Sequence, residues 1–243
     1  MAIQGLGSSL SQYRNYKSNA SGLGKSTQRL SAGYRINSAA DDASGLAISQ
    51  KMRAQISVDE ARLQNTGMQI SSAQTADGGL STVQDSLSRM RELAVQAANG
   101  TYSDADRAQL QKEFSQLQQD IGRTYESTNF NGIPLLGSAP GITGMDISTA
   151  AGADRAMAGL ENAINAVSSQ RGDFGALQTG AEYTAQGLRE SIIRTQESES
   201  EIRDLDIALA VMENTRKKIL HQSSVAMLAQ ANQRASGVMR LLQ

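Results

Sequence analysis

The two ends of this chain carry apolar residues at helical spacings of three or four, and this feature most constrains its fold. The N-terminal stripe comprises Ile3, Leu6, Leu10, Tyr13, Tyr16, Ala20, Leu23, Thr27 and Leu30, and the C-terminal stripe comprises Leu228, Ala231, Ala235, Val238 and Leu242. Such stripes are typical of helices that pack on other helices. We therefore expect both ends to be assembly surfaces, with these contact residues: Ile3, Leu6, Leu10, Tyr13, Leu23, Leu30, Leu228, Ala231, Val238 and Leu242.

The pattern between the ends predicts long helices. Asp41, Asp42 and Ser44 offer side-chain caps for a helix that is predicted to run to Asn99-Gly100, a pair typical of a helix exit and turn. The Asp77-Gly78-Gly79 interruption is expected to kink this helix or shift its seam. A second helix is predicted after Ser103 or Asp104 and should return antiparallel to the first, and a third is predicted from about 154 to about 200.

The stretch 128–151 is the only predicted β region. It holds both prolines of the chain and Asn131-Gly132, a pair typical of a tight β-hairpin turn. A connector near 203–206 then precedes the terminal helix. The fold class is therefore mainly α: an elongated bundle of long helices with terminal coiled-coil helices and a small β-hairpin region, in which the two ends pair as one rod.

Composition argues against catalysis and against several kinds of partner. The chain has no cysteine and a single histidine, so thiolate chemistry and multi-histidine metal sites are excluded. We therefore expect no catalytic residue, cofactor or metal. A net charge of −1, with no basic run beyond Lys217 and Lys218, provides no positive electrostatic field that would attract nucleic acid, so we do not expect nucleic acid as a partner. No segment approaches the length of a membrane span, so no membrane insertion is expected. His221 is expected on a polar face.

Several ordered blocks closely resemble bacterial flagellin. Residues 29–48 read RLSAGYRINSAADDASGLAI, residues 89–96 read RMRELAVQ, residues 129–132 read NFNG, residues 200–204 read SEIRD and residues 228–233 read LAQANQ. Tyr34 departs from the family, which usually has Leu or Phe there. The resemblance covers nearly the whole chain.

The resemblance implies a domain organisation and a function. Residues 1–40 with 204–243 would form the terminal inner-tube region with its connectors, and 41–203 would form the helical rod with the small β region. The segment between Gly137 and Asp154 is too short for an outer domain. The implied function is that of a structural subunit, not an enzyme, which polymerises into the motility filament of the bacterial flagellum.

The family also implies a location and partners. The chain would be secreted unfolded by flagellar type III export, would reach the extracellular filament, and would meet an export chaperone, cap proteins and hook-associated proteins besides copies of itself. Its terminal segments would be largely disordered as a monomer and fold on assembly. The receptor-contact pattern of flagellins sensed by Toll-like receptor 5 matches at Arg89, Leu93 and Glu113. Because Leu93 falls outside the seam that contains Met90 and Ala94, it is expected to be exposed or to face a neighbouring subunit.

Two alternatives remain open at this stage. A hook-filament junction protein shares terminal similarity with flagellin and would cap a filament rather than extend it. A cytosolic coiled-coil adaptor would explain the apolar stripes, although not the ordered blocks.

Overall fold

The computed structural model describes the backbone of residues 2–241, and the side chains of residue 7 and of residues 10–233. Five helices and one two-stranded sheet occupy this part of the chain: α1 (Ala2–Ala32), α2 (Ala43–Ala98), α3 (Asp104–Ser127), β1 (Asn129–Phe130), β2 (Ile133–Pro134), α4 (Ala150–Arg203) and α5 (Ile207–Leu241). The mainly α fold class is confirmed. Contacts divide the chain into two compact units, Met1–Val58 with Ile192–Gln243, and Asp59–Ser191.

Helix boundaries follow the capping residues. The backbone N–H of Gly45 donates to the Asp42 carboxylate at 2.9 Å, which makes Asp42 the cap of α2. Ser103 caps α3 in a reciprocal capping box with Asp106. These interactions satisfy N–H groups that have no partner inside the first helical turn, so both helices begin where the sequence predicts.

The interruption at Gly78 and Gly79 leaves α2 continuous. Buried residues on either side of it, Ala76, Leu80 and Val83, keep the spacing of three or four, so the expected shift of the seam is wrong. Gly79 instead lies against the residue that follows α3: a Cβ there would come within 2.5 Å of the Thr128 hydroxyl oxygen. The missing side chain admits this close approach.

The first unit contains the two connectors between its helices, and they pair with each other. Tyr34 and Asp204 form an isolated antiparallel bridge, and the N–H of Leu205 donates to the Gly33 carbonyl at 3.1 Å. Gly33 takes a φ of +74°, which favours glycine at the end of α1. The Arg203 guanidinium lies 4.1 Å from the centroid of the Tyr34 ring, so the aromatic residue that departs from the family pattern makes a cation–π contact.

Asp41 joins α1 to the start of α2. Its carboxylate accepts a hydrogen bond from Arg29 Nη2 at 2.9 Å and another from the Ser38 N–H at 3.2 Å. The hydrogen bond from Arg29 is the main reason that the pKa of Asp41 falls to about 2. Both adjacent carboxylates, Asp41 and Asp42, therefore organise the backbone at the entry of α2.

The second unit has an apolar core built from α2, α3 and α4. Its large, fully buried side chains come from all three helices and from the segment after the hairpin: Leu80, Leu87, Met90, Leu93, Phe114, Ile121, Ile142, Ile147, Leu160 and Val167. Arg171 of α4 adds a polar link to α2, with its Nε 2.8 Å from Asp77 Oδ1. Aliphatic side chains fill most of this core, as the low aromatic content predicts.

The hairpin is a tight turn, and the segment after it lies on α3. β1 and β2 pair antiparallel through the two-residue turn Asn131-Gly132, whose φ values of 52° and 79° confirm the predicted tight turn. Gln118 donates to the Ile142 carbonyl at 2.7 Å, and Gln111 accepts from the Ile147 N–H at 2.7 Å. Two amide side chains of one helix thus hold the proline-containing segment in place.

Candidate assembly surface

The terminal helices α1 and α5 pair with each other, as the sequence predicts. Asn19 Nδ2 donates to Ser224 Oγ at 2.5 Å, and Asn214 Nδ2 donates to Thr27 Oγ1 at 3.1 Å. Because the residue number rises along one helix as it falls along the other, the two helices run antiparallel. Side-chain hydrogen bonds at two levels set the register of this pair.

The seam between α1 and α5 is small and polar. The least exposed positions of α5 alternate in steps of four and three: Ala210, Asn214, Lys217, His221, Ser224, Leu228 and Ala231. His221 lies half-buried in this seam, with its ring centroid 5.3 Å from that of Tyr16. A seam with so few large apolar side chains removes little apolar surface from water.

The larger apolar side chains of α5 point away from α1. Met212 and Ile219 are 63% and 60% exposed, and Leu209, Leu220, Val225 and Met227 are exposed as well. A groove of about 420 Å³ on this outward side is lined by Val211, Met212, Thr215, Arg216, Ile219 and Leu220. Contiguous exposed apolar surface of this kind marks an interaction site in a soluble protein. We call this set of six lining residues the α5 groove.

The predicted assembly residues fall into three groups. Leu10 and Tyr13 are each 53% exposed, so Tyr13 lies outside the seam with α5. Half-buried positions within the pair are Leu23, Leu30, Leu228 and Ala231. The side chains of Ile3, Leu6, Val238 and Leu242 lie outside the described residues. The terminal stripes therefore combine contacts inside the chain with an outward apolar face.

Sequence reasoning missed part of this outward face. Val211 and Leu220 line the α5 groove but lie outside the C-terminal stripe, which begins at Leu228. The signal was present in the composition of α5, because apolar residues occur on more sides of this helix than one partner helix can cover.

The three residues matched to the receptor pattern differ in exposure. Arg89 and Glu113 are exposed and form an ion pair, with Arg89 Nη2 2.8 Å from Glu113 Oε1, and Arg89 also contacts Glu92 at 3.0 Å. Leu93 is fully buried, so its expected exposure is wrong. In this unit α2 packs against two helices, α3 and α4, so its buried face is wider than the single row of residues that one partner helix would cover.

The described residues contain no group of three or more His, Asp or Glu side chains placed to hold a metal ion. Among the same residues, no helix is both long and apolar enough to cross a membrane.

Comparison with known proteins places the chain in a family. The model of the bacterial flagellin N-terminal helical region matches residues 3–139, and that of the bacterial flagellin C-terminal helical region matches residues 157–242. The chain is 39% identical to a flagellin of Halalkalibacterium halodurans, over 96% of each chain. It is 38% identical to the flagellar filament core protein flaB2 of Brachyspira hyodysenteriae, over 97% of this chain and 98% of the relative.

Among solved structures, a crystal structure of Bacillus cereus flagellin matches 51% of this chain and 88% of its own, with 26% identity and a TM-score of 0.48. The family models and the relatives of similar length show that this chain belongs to the bacterial flagellin family. Flagellins are structural proteins rather than enzymes, which agrees with a candidate site made of apolar surface.

Proposed function

We propose that this chain is a subunit of the bacterial flagellar filament and polymerises with copies of itself through its terminal helices. The observation that carries this proposal is the outward apolar face of α5, together with exposed Leu10 and Tyr13 of α1. A neighbouring subunit that covers this face would remove apolar surface from water at about 25 cal/mol per Å². Similarity to relatives named as filament core proteins supports the same function.

The contact that builds such a filament is heterologous. The α5 groove and the exposed α1 residues are different surfaces, so each copy can offer one surface to the copy before it and another to the copy after it. Head-to-tail contacts that do not close into a ring give an open helical polymer. The polar seam between α1 and α5 supports a second part of the proposal, namely that the terminal pair is marginal in the monomer and gains helical order on assembly.

The family supports further steps of the proposal. The chain is exported unfolded by flagellar type III export with the help of a chaperone, and it acts outside the cell with cap and hook-associated proteins. Residues 1–40 with 204–243 line the filament, and 41–203 form the surrounding rod. Toll-like receptor 5 recognises the exposed pair Arg89 and Glu113, whereas Leu93 supports that surface from the core.

Seeded polymerisation tests the assembly step. Short preformed seeds are added to purified monomer, and light scattering and electron microscopy follow growth. Wild-type chain should extend the seeds, and Ile219→Asp should not, because the substitution removes the apolar contact of Ile219 and a neighbouring subunit would have to take a carboxylate out of water. The matched control is Ile133→Asp, which changes a residue of similar exposure, 63% against 60%, in the hairpin.

The outcomes of this test distinguish a filament subunit from the alternative functions. Loss of growth in Ile219→Asp alone supports assembly through α5. Equal loss in both variants would remove the special role of the terminal helices. A wild-type chain that binds to the ends of seeds without extending them would indicate a hook-filament junction protein. A wild-type chain that does not bind the seeds would favour a cytosolic coiled-coil adaptor.

A further inference from the structure

The turn between α2 and α3 contains an Asn-Gly pair that the proposed function does not use. Asn99 and Gly100 directly follow the last residue of α2, and both are exposed to solvent. A Cβ on Gly100 would meet no atom within 4 Å, so the space around its backbone is open. The backbone nitrogen that follows an asparagine can attack the side-chain amide carbon, and glycine obstructs this attack least because it has no side chain.

Hydrogen bonds hold the Asn99 side chain in a geometry that favours this attack. Its oxygen Oδ1 accepts from the Thr101 backbone N–H at 3.1 Å and from Thr101 Oγ1 at 3.0 Å. The first of these bonds closes a ring that contains the Gly100 nitrogen, so it draws Asn99 Cγ toward that nitrogen. Because Oδ1 gains negative charge when Cγ is attacked, the two Thr101 donors stabilise the transition state as an oxyanion hole does.

The attacking nitrogen is activated as well. Among the described residues, no group accepts a hydrogen bond from the Gly100 N–H, so this N–H can lose its proton to hydroxide. The negative charge that remains spreads onto the Asn99 carbonyl oxygen of the same peptide group. That oxygen accepts from Arg107 Nη2 at 3.2 Å and from the Tyr102 N–H at 3.3 Å. A guanidinium at this position stabilises the deprotonated amide.

We propose that Asn99 deamidates by itself through attack of the Gly100 nitrogen, and that Thr101 and Arg107 accelerate the reaction. A bond forms between the Gly100 nitrogen and Asn99 Cγ, and the bond from Cγ to the side-chain nitrogen breaks. That nitrogen leaves as ammonia with the proton of the Gly100 amide. Water then opens the cyclic imide at either carbonyl, which gives an aspartyl or an isoaspartyl residue. No cofactor or second protein takes part, and the proposal is independent of filament assembly.

The reaction changes the C-terminal end of α2. A carboxylate at position 99 adds negative charge where the helix dipole is also negative. The isoaspartyl product in addition lengthens the main chain by a methylene group, which alters the turn that leads into α3. The modified fraction should therefore increase with the age of the folded chain.

A second Asn-Gly pair in the same chain is the matched control. Asn131-Gly132 is exposed too, but it forms the turn of the hairpin, where both residues have a positive φ and the paired strands hold the backbone in place. Among the described residues, no group donates to the Asn131 side chain, whereas Thr101 donates twice to that of Asn99. Folding should therefore accelerate deamidation at Asn99 and slow it at Asn131.

Peptide mapping tests the proposal on the full chain. The folded chain and the same chain unfolded in guanidinium chloride are incubated at mildly alkaline pH, then digested with trypsin and analysed by mass spectrometry. The two sites fall in different tryptic peptides because Arg107 and Arg123 lie between them. At Asn99 the folded chain should react about threefold to tenfold faster than the unfolded chain, which is the effect of one or two net hydrogen bonds. At Asn131 it should react more slowly.

Two sets of variants assign the accelerating groups. Thr101→Val removes the hydroxyl donor and keeps the side-chain shape, so the folded-state rate at Asn99 should fall about threefold or more. Thr143→Val, the same change at another exposed position, should leave this rate unchanged. Arg107→Leu should lower the rate, and Arg107→Lys should restore part of it because lysine keeps the positive charge. Circular dichroism checks that each variant is folded.

Several results would overturn the proposal. Equal rates at Asn99 in the folded and the unfolded chain would show that the fold adds nothing to the chemistry of the dipeptide. Equal rates at Asn99 and Asn131 in the folded chain would lead to the same conclusion. A Thr101→Val variant that reacts as fast as the wild type would rule out the oxyanion hole, and equal rates in Arg107→Leu and Arg107→Lys would rule out the role of the guanidinium charge.

Discussion

Truncation of Leu93 tests whether this residue belongs to the core or to a binding surface. Its side chain is fully buried in the cluster that joins α2, α3 and α4. Removal of a buried leucine side chain loses its transfer free energy and leaves a cavity, which together destabilise a protein by about 3 to 5 kcal/mol. Leu93→Ala should therefore lower the free energy of unfolding of the Asp59–Ser191 unit by at least about 3 kcal/mol.

The same change can be read as a shift in melting temperature. At about 2.1 cal/mol/K of unfolding entropy per residue, a unit of roughly 130 residues loses about 10 °C for a loss of 3 kcal/mol. Thermal and urea unfolding followed by circular dichroism measure both quantities. Val95→Ala is the matched control, because Val95 lies on the same helix and is 54% exposed, so its effect should stay within about 0.5 kcal/mol.

A small effect of Leu93→Ala, equal to that of Val95→Ala, would refute the placement of Leu93 in the core. A receptor-binding defect in Leu93→Ala that occurs without any loss of stability would refute it as well, because such a defect would require direct contact. If the reasoning holds, the defect should follow the fraction of unfolded chain and should be rescued by a larger apolar residue such as methionine.

Two further predictions concern the backbone and the pH dependence of stability. Gly79→Ala should destabilise the second unit by about 1 to 2 kcal/mol in urea unfolding, because its Cβ would meet Thr128. Gly78→Ala, which has open space around it, should leave stability unchanged or raise it by up to about 1 kcal/mol. Equal effects of the two substitutions would contradict the close approach of Gly79 to Thr128. Asp41 has a lowered pKa of about 2, so the stability from its hydrogen bond with Arg29 is present above about pH 4 and is lost as the pH falls to 2. The urea midpoint of the wild type should fall more steeply over this range than that of Asp41→Asn. Parallel curves would refute this role of Asp41.

Much of the fold was predictable because its signals are local. Asp42 and Ser103 cap helices through bonds to residues three positions away, and Asn131-Gly132 turns the hairpin through its own backbone angles. The pairing of α1 with α5 was also predictable, because two apolar stripes at the ends of one chain have an obvious partner in each other. Capping, turn formation and helical periodicity depend on neighbours in sequence.

The candidate site was less predictable because exposure depends on how many neighbours a helix has. Leu93 looked peripheral to a single seam, yet two helices cover that side of α2. Tyr13 and Tyr16 share one stripe, but Tyr16 contacts His221 while Tyr13 is exposed. Periodicity identifies the apolar residues of a helix without telling which partner covers each of them.

The amino-acid sequence by itself determined the helical class, the helix ends, the hairpin turn and membership of the flagellin family, since these follow from short-range chemistry and from ordered motifs. Only the tertiary structure decided that Asn19 and Ser224 occupy the seam of the terminal pair while Ile219 and Met212 face outward. The reason is physical: burial is a property of the space around a side chain, and that space is filled by residues about two hundred positions away in the chain.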